Sequence, residues 1–227
     1  MENLKKNHCP NSLLYYDLLV NLLFKNPNND EIKSTLAIEK ILSQKQINSI
    51  LYSDPFLKAG FISKLVKEVK TNILYLDLDL LYSGYVESGI LPSQENLLLF
   101  QPTADTIKEM LTEILVKSSA SQSLIIVDSL NGLFNMLNRK KDVGKTVTSV
   151  IMLIASIART TNSYVVIASM VRYKKQEGWI LSPTGKRLIE TENSKKILLE
   201  YGKEGIYLNF LDDSGKLFIS ANQIPLV

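Results

Sequence analysis

The stretch Leu124–Phe134, LIIVDSLNGLF, decides the fold. Its first half is a short, continuous, β-branched apolar run, the pattern of a strand covered on both faces rather than on one. Asp128 closes the strand and Ser129–Leu137 continues as a helix. A strand that hands a carboxylate to a helix places it at the carboxyl end of a parallel sheet, where open α/β folds hold their ligands. Two roles fit Asp128: it orients a Mg²⁺ through water, or it caps the helix that follows.

The same rhythm extends both ways. Upstream, Ser49–Ser53 (SILYS) reads as a strand and Phe61–Lys70 as a helix. Asn72–Asp79 (NILYLDLD) and Asn96–Gln101 (NLLLFQ) are strands, and Thr103–Lys117 is a helix capped by Thr103. In an extended strand Asp77 and Asp79 share a face about 6–7 Å apart, either as a metal- or water-orienting pair or as a strand end emerging into solvent. Downstream, Lys145–Thr161 is a helix and Ser163–Ser169 (SYVVIAS) a strand. Lys195–Glu200, Gly205–Leu211 and Lys216–Ser220 then form a meander, with Asp212–Gly215 as hairpin turn. The expected fold is α/β: a mostly parallel sheet flanked by helices and finished by antiparallel C-terminal strands. Ahead of it, residues 1–46 read as an N-terminal helical element, with helices at Ser12–Phe24 and Asp30–Ser43; residues 47–227 form the core domain.

Composition narrows the function classes. The 227 residues are 45% hydrophobic and 22% charged, ordinary for a globular chain, and the net charge of +3 is too weak to argue for nucleic acid by itself. One cysteine, Cys9, allows no internal disulfide, and with the single His8 it cannot build a zinc site. No apolar run reaches the ~20 residues of a membrane helix, and a cytoplasmic location is expected.

In order and spacing these segments resemble the RecA/RadA/KaiC family, over about residues 48–222. Ile50–Lys70 stands where the family has strand, phosphate loop and helix. YLDLD at Tyr75–Asp79 resembles the strand that ends in an acidic pair, with Asp79 at the place of the catalytic glutamate. LIIVDSLNGLF resembles the Walker B strand with its following serine and helix, and Ile154–Val171 (IASIARTTNSYVVIASMV) the next helix and strand. Ser182–Arg187 (SPTGKR) and the strands after it are similar to the terminal segment of RadA. The resemblance implies a RecA-like core with an oligomeric, ring- or filament-type assembly.

The departures fall on the nucleotide. A phosphate loop, G-x-x-x-x-G-K-[ST], wraps phosphates with backbone N–H groups. Here Ser53–Phe61 reads SDPFLKAGF, with a single glycine, no Lys-Ser/Thr pair, a proline and an aspartate. Gly144-Lys145-Thr146 and Thr184-Gly185-Lys186 lack the rest of the motif, and the amide sensor after the fifth strand is replaced by Ser169-Met170. Asp79 and Asp128 are thus vestigial catalytic candidates; no cofactor and no metal are expected.

Two basic loops remain. Asn138–Thr146 carries Arg139, Lys140, Lys141 and Lys145. Arg172–Trp179 carries Arg172, Lys174 and Lys175 interleaved with Tyr173 and Trp179, and Lys186 and Arg187 follow. By the resemblance these occupy the family's nucleic-acid loops, and cations with aromatics suit single-stranded DNA or RNA; ordinary solvated loops fit the same residues. The reading is therefore a catalytically degenerate paralog that binds nucleic acid as an accessory subunit, a homo-oligomer or a partner of RecA-like subunits. A weak ATPase and a ring-forming scaffold akin to the RecA-like Elongator subunits are the alternatives. Phe56-Leu57-Lys58-Ala59 also matches the F-x-x-A pattern that links RadA-type subunits.

Overall fold

A computed structural model describes residues 38, 41–43, 46–137, 142–175, 178–181, 194–202, 205–211 and, as backbone, 217–225. Strands β1 (Ile47–Tyr52), β2 (Asn72–Asp77), β3 (Leu97–Phe100), β4 (Ser123–Asp128), β5 (Tyr164–Lys174), β6 (Gly178–Leu181), β7 (Ser194–Tyr201), β8 (Gly205–Leu211) and β9 (Leu217–Pro225) form one sheet. Its order is β3-β2-β4-β5-β1-β7-β8-β9, with β6 paired to β5. The strands from β3 to β7 along that path are parallel, and β8, β9 and β6 are antiparallel to their neighbours. The sheet is thus the mostly parallel one expected, finished by antiparallel strands.

Among the described residues five helices connect the strands: α1 (Pro55–Glu68), α2 (Leu81–Glu87), α3 (Ile107–Ala120), α4 (Leu130–Leu137) and α5 (Val143–Thr160). Alternation along each strand divides the core into two layers. Ile73 and Tyr75 of β2 and Leu124 and Ile126 of β4 pack with Phe61, Ile62 and Leu65 of α1. Leu74, Leu76, Ile125 and Val127 face the other way, onto Ile114 of α3, Leu133 of α4 and Ile151 of α5. The turns after β1 and β2 lead to the α1 side of the sheet and the turn after β4 to the other, so the chain changes side between β2 and β4 at the carboxyl edge.

Several boundaries differ from the sequence expectation, each for a local reason. Helix α1 starts at Pro55, not Phe61, because Asp54 caps it, accepting the Phe56 N–H at 2.7 Å, and Pro55 supplies a preset φ at the first helical position. What reads as a phosphate loop is mostly helix, leaving only Ser53 and Asp54 between strand and helix. Strand β2 stops at Asp77 rather than Asp79, so the two carboxylates do not share a strand face; the chain turns there into α2, a helix the sequence reading missed. Helix α3 begins at Ile107, with Thr103 and Thr106 hydrogen-bonding one another's backbone in the preceding turn. Strand β5 runs on to Lys174 and folds back as β6, a hairpin also missed.

One helix modifies the membrane expectation. Val143–Thr160 has 18 residues at mean hydropathy 1.3, long and apolar enough to cross a membrane by length and composition. It lies against the sheet through Val147, Ile151, Ile154, Ala155 and Ala158. The N-terminal helical element falls outside the described residues except at 38 and 41–43, which are helical; Ile38, Ile41 and Leu42 join the α1 layer.

Candidate functional site

Parity along the strands brings the site together. Asp77 and Asp128 are register partners on adjacent parallel strands, so both emerge on the α1 side of the sheet beside Tyr75. Lys58, one turn into α1, reaches Asp128. Its Nζ donates to Asp128 Oδ1 at 2.6 Å and to Asp79 Oδ2 at 3.2 Å, and stands 5.2 Å from the centroid of the Tyr52 ring. Asp128 Oδ2 accepts from the Tyr75 hydroxyl at 2.6 Å. Lys58 and Asp128 are each 1% exposed, so this is a dry ion pair with a third charge at its rim.

The electrostatics follow from that burial. Burial alone would depress the Lys58 ammonium, but Asp128, Tyr52 and Asp79 more than reverse it, and Lys58 is held charged well above the ordinary lysine range. Burial raises the Asp128 carboxyl, while Lys58 and the Tyr75 hydroxyl pull it back. The cation decides the state of this pair, because two carboxylates favour its charge while each carboxylate has only one such partner. Burial pushes the Tyr52 hydroxyl up to about 12 against the pull of Lys58, and raises Tyr75, with Asp128 adding to the effect.

Asp128 is not the cap of α4. That role falls to Ser129, whose Oγ accepts the Gly132 N–H at 3.1 Å. Asp77 instead reaches forward to the first turn of α2, its Oδ2 accepting the Ser83 N–H at 2.8 Å; burial raises its carboxyl. Gly132 lets the turn after β2 approach α4: a Cβ there would sit 2.7 Å from Leu78 Cβ and 2.8 Å from Asp79 Oδ1. The glycine thereby leaves Asp79 room to reach Lys58. At the sensor position Ser169 is buried, and Met170 N–H donates to Asn131 Oδ1 at 2.9 Å.

The mouth of the β1–α1 turn is filled from within as well. Asp54 uses Oδ1 for the Phe56 N–H and Oδ2 for the Tyr201 hydroxyl, 3.0 Å away. Pro55 has no N–H to offer. Ala59 is 4% exposed, so of the F-x-x-A pattern only Phe56 reaches the surface.

The raised groups fix an alkaline limit. Lys58 starts from 10.5 and Tyr52 from 10.0, both moved upward on folding. Such groups contribute stability that is complete below the unfolded values and lost as pH rises through the folded ones. Unfolding is therefore expected to set in above about pH 10, with Tyr52, Tyr75 and Tyr82 ionising together with it. A tyrosinate absorbance titration alongside circular dichroism checks this; all tyrosines titrating together near 10 with the fold intact would refute it.

The basic residues lie on other elements. Arg172, Tyr173 and Lys174 end β5 and are exposed, as is Lys175 in the turn. Trp179 on β6 faces Tyr173 across the hairpin, the rings 5.5 Å apart and edge-on. Trp179 is half-buried against Leu51, Val171 and Leu198, so its ring buttresses the hairpin while Tyr173 presents the exposed one. Lys145 stands in the first turn of α5, its side chain 85% exposed and 3.8 Å from Asp142. Arg139, Lys140, Lys141, Lys186 and Arg187 lie outside the described residues.

Sequence reasoning missed Lys58, Tyr75 and Tyr52. The available signals were Asp54-Pro55 as a helix start, which puts Lys58 one turn in, and the two-residue period from Tyr75 to Asp77. Among the described residues no group of three or more His, Cys, Asp or Glu could hold a metal.

No family model matches the chain, and neither does any curated protein. Among solved structures, the crystal structure of the RadB recombinase is similar at 14% identity and a TM-score of 0.47, over 74% of this chain and 81% of that one.

Proposed function

We propose that the chain is a RecA-like accessory subunit that binds single-stranded nucleic acid and neither binds nor hydrolyses ATP. One observation carries the negative half: Lys58 lies between Asp128 and Asp79, 2.6 and 3.2 Å away. These are the carboxylates that the resemblance assigns to metal and catalysis, and an internal ammonium meets the charge a Mg²⁺ would otherwise supply. The start of α1 supports the same reading. A helix N-terminus binds phosphate through free N–H groups. Here the first position is Pro55, the Phe56 N–H is taken by Asp54, and that carboxylate repels an anion.

The positive half rests on the β5–β6 hairpin, where Arg172, Lys174 and Lys175 are exposed next in sequence to an exposed ring, Tyr173. Cations along a strand edge with one exposed ring are what a sequence-tolerant single-strand site uses. In this reading Lys145, Arg139, Lys140, Lys141, Lys186 and Arg187 supply further cations, Trp179 holds the hairpin in shape, and the protein works in the cytoplasm with RecA-like subunits, its own or others.

The test is anisotropy of a labelled single-stranded oligonucleotide at low salt. Binding that falls steeply and log-linearly with salt is expected. No affinity at any salt would remove the nucleic-acid role and leave a scaffold.

A further inference from the structure

Beside the turn that α1 closes lies a cleft of about 650 Å³, lined by Ser53, Leu57, Trp179, Leu199, Glu200, Tyr201, Tyr207 and Asn209. Three elements meet there: the β1–α1 turn, the β5–β6 hairpin and the β7–β8 pair. Its chemistry is one-sided. Three aromatic rings and one carboxylate line it, Asp54 stands behind Tyr201, and no Lys or Arg is among the described lining residues.

The aromatic and acidic groups are held in place. Glu200 and Tyr207 are register partners across β7 and β8, which sets the carboxylate beside the phenol ring. Asn209 donates its Nδ2 to Glu200 Oε2, fixing that carboxylate. Tyr207 lies close against Gly202, where any Cβ would overlap its ring. Tyr201 is tied to Asp54 through its hydroxyl. Trp179 is wedged against Leu51, Val171 and Leu198.

We propose that this cleft binds a guanidinium group. A cation over aromatic faces is attracted by the ring quadrupoles. A planar guanidinium can also stack on a ring while pairing with a carboxylate through two N–H groups, which a compact ammonium cannot. A nucleotide fits less well, since Glu200 and Asp54 oppose its phosphates and none of the described lining residues is a cation. The guanidinium can arrive on a free small molecule or on an arginine of a partner protein; the chemistry of capture is the same. The proposal is independent of the nucleic-acid reading, which uses Tyr173 and the cations of the hairpin.

Trp179 is the only tryptophan, so its emission reports the cleft directly. The full chain is titrated with N-acetyl-arginine amide, with an arginine-containing peptide, with spermidine, and with NaCl at matched ionic strength. A saturable change with half-saturation on the order of millimolar is expected for the isolated arginine derivative, with spermidine weaker. Tighter capture of the peptide assigns the site to a partner's arginine; equal capture assigns it to a free guanidinium compound. Glu200→Gln, which keeps the shape of the side chain, and Tyr207→Leu are each expected to weaken binding about tenfold while the melting transition stays cooperative. A response no different from NaCl, a half-saturation unchanged in both variants, or saturation by adenosine in place of arginine would overturn the proposal.

Discussion

Lys58→Met is expected to lower stability by about 3–5 kcal/mol, the cost of leaving a buried charge without its partner. Methionine keeps the length of the side chain but strands Asp128, which is 1% exposed, inside the α1 layer. For a chain of this size that corresponds to a melting temperature lower by roughly 10 °C. The loss should shrink on acidification: with Lys58 gone the Asp128 carboxyl rises further, and a raised carboxyl favours folding below its folded value and loses that benefit as pH rises through it. Adding Asp128→Asn should restore stability to within about 1–2 kcal/mol, because the amide oxygen still accepts the Tyr75 hydroxyl and no bare charge remains. Thermal and urea unfolding of the two single variants and the double one form the cycle. A single Lys58→Met within about 0.5 kcal/mol of the parent, as at an ordinary surface position, would mean the ion pair is not dry.

The second large effect concerns the hairpin. Replacing Arg172, Lys174 and Lys175 together by alanine is expected to reduce the salt slope of single-strand binding by about two, from roughly 0.7 per lost phosphate contact. Tyr173→Ala should cost about 1–3 kcal/mol of affinity if one base stacks on that ring, with little change in slope. Trp179→Ala should act on the fold instead, because its ring fills space against Leu51, Val171 and Leu198. Anisotropy at several salt concentrations separates the three. A triple variant with an unchanged slope would place the phosphate contacts elsewhere.

Fold and site were legible to different depths, and the reason is range. The Ser123–Asp128 strand matches the sequence reading to the residue, since a doubly covered strand needs a continuous apolar run and Asp128 cannot extend it. The antiparallel ending was legible in outline from its turn residues, though its last strand runs on to Pro225 rather than ending at Ser220. The start of α1 is hidden in the sequence because SDPFLKAGF stands where a phosphate loop would, whereas its Asp54-Pro55 is a helix cap followed by proline. The turn after Asp77 was missed because Leu78-Asp79-Leu80 continues the strand's alternation. What ends the strand is Asp77 reaching forward to the Ser83 N–H. Lys58 was invisible as a site residue for a longer-range reason. Its partners lie 21 and 70 residues away in the chain, and only the register of β2 with β4 brings them under α1. The same holds for the aromatic cleft, whose lining comes from three separate elements.

In the proposed function, Lys58 and the capped start of α1 stand in place of nucleotide and metal. Isothermal titration of the full chain with ATP and Mg²⁺ tests it most directly. No binding tighter than about millimolar is expected, and none that depends on Mg²⁺. Micromolar, Mg²⁺-dependent binding would contradict the account, because it would require Lys58 to leave Asp128 and the start of α1 to open.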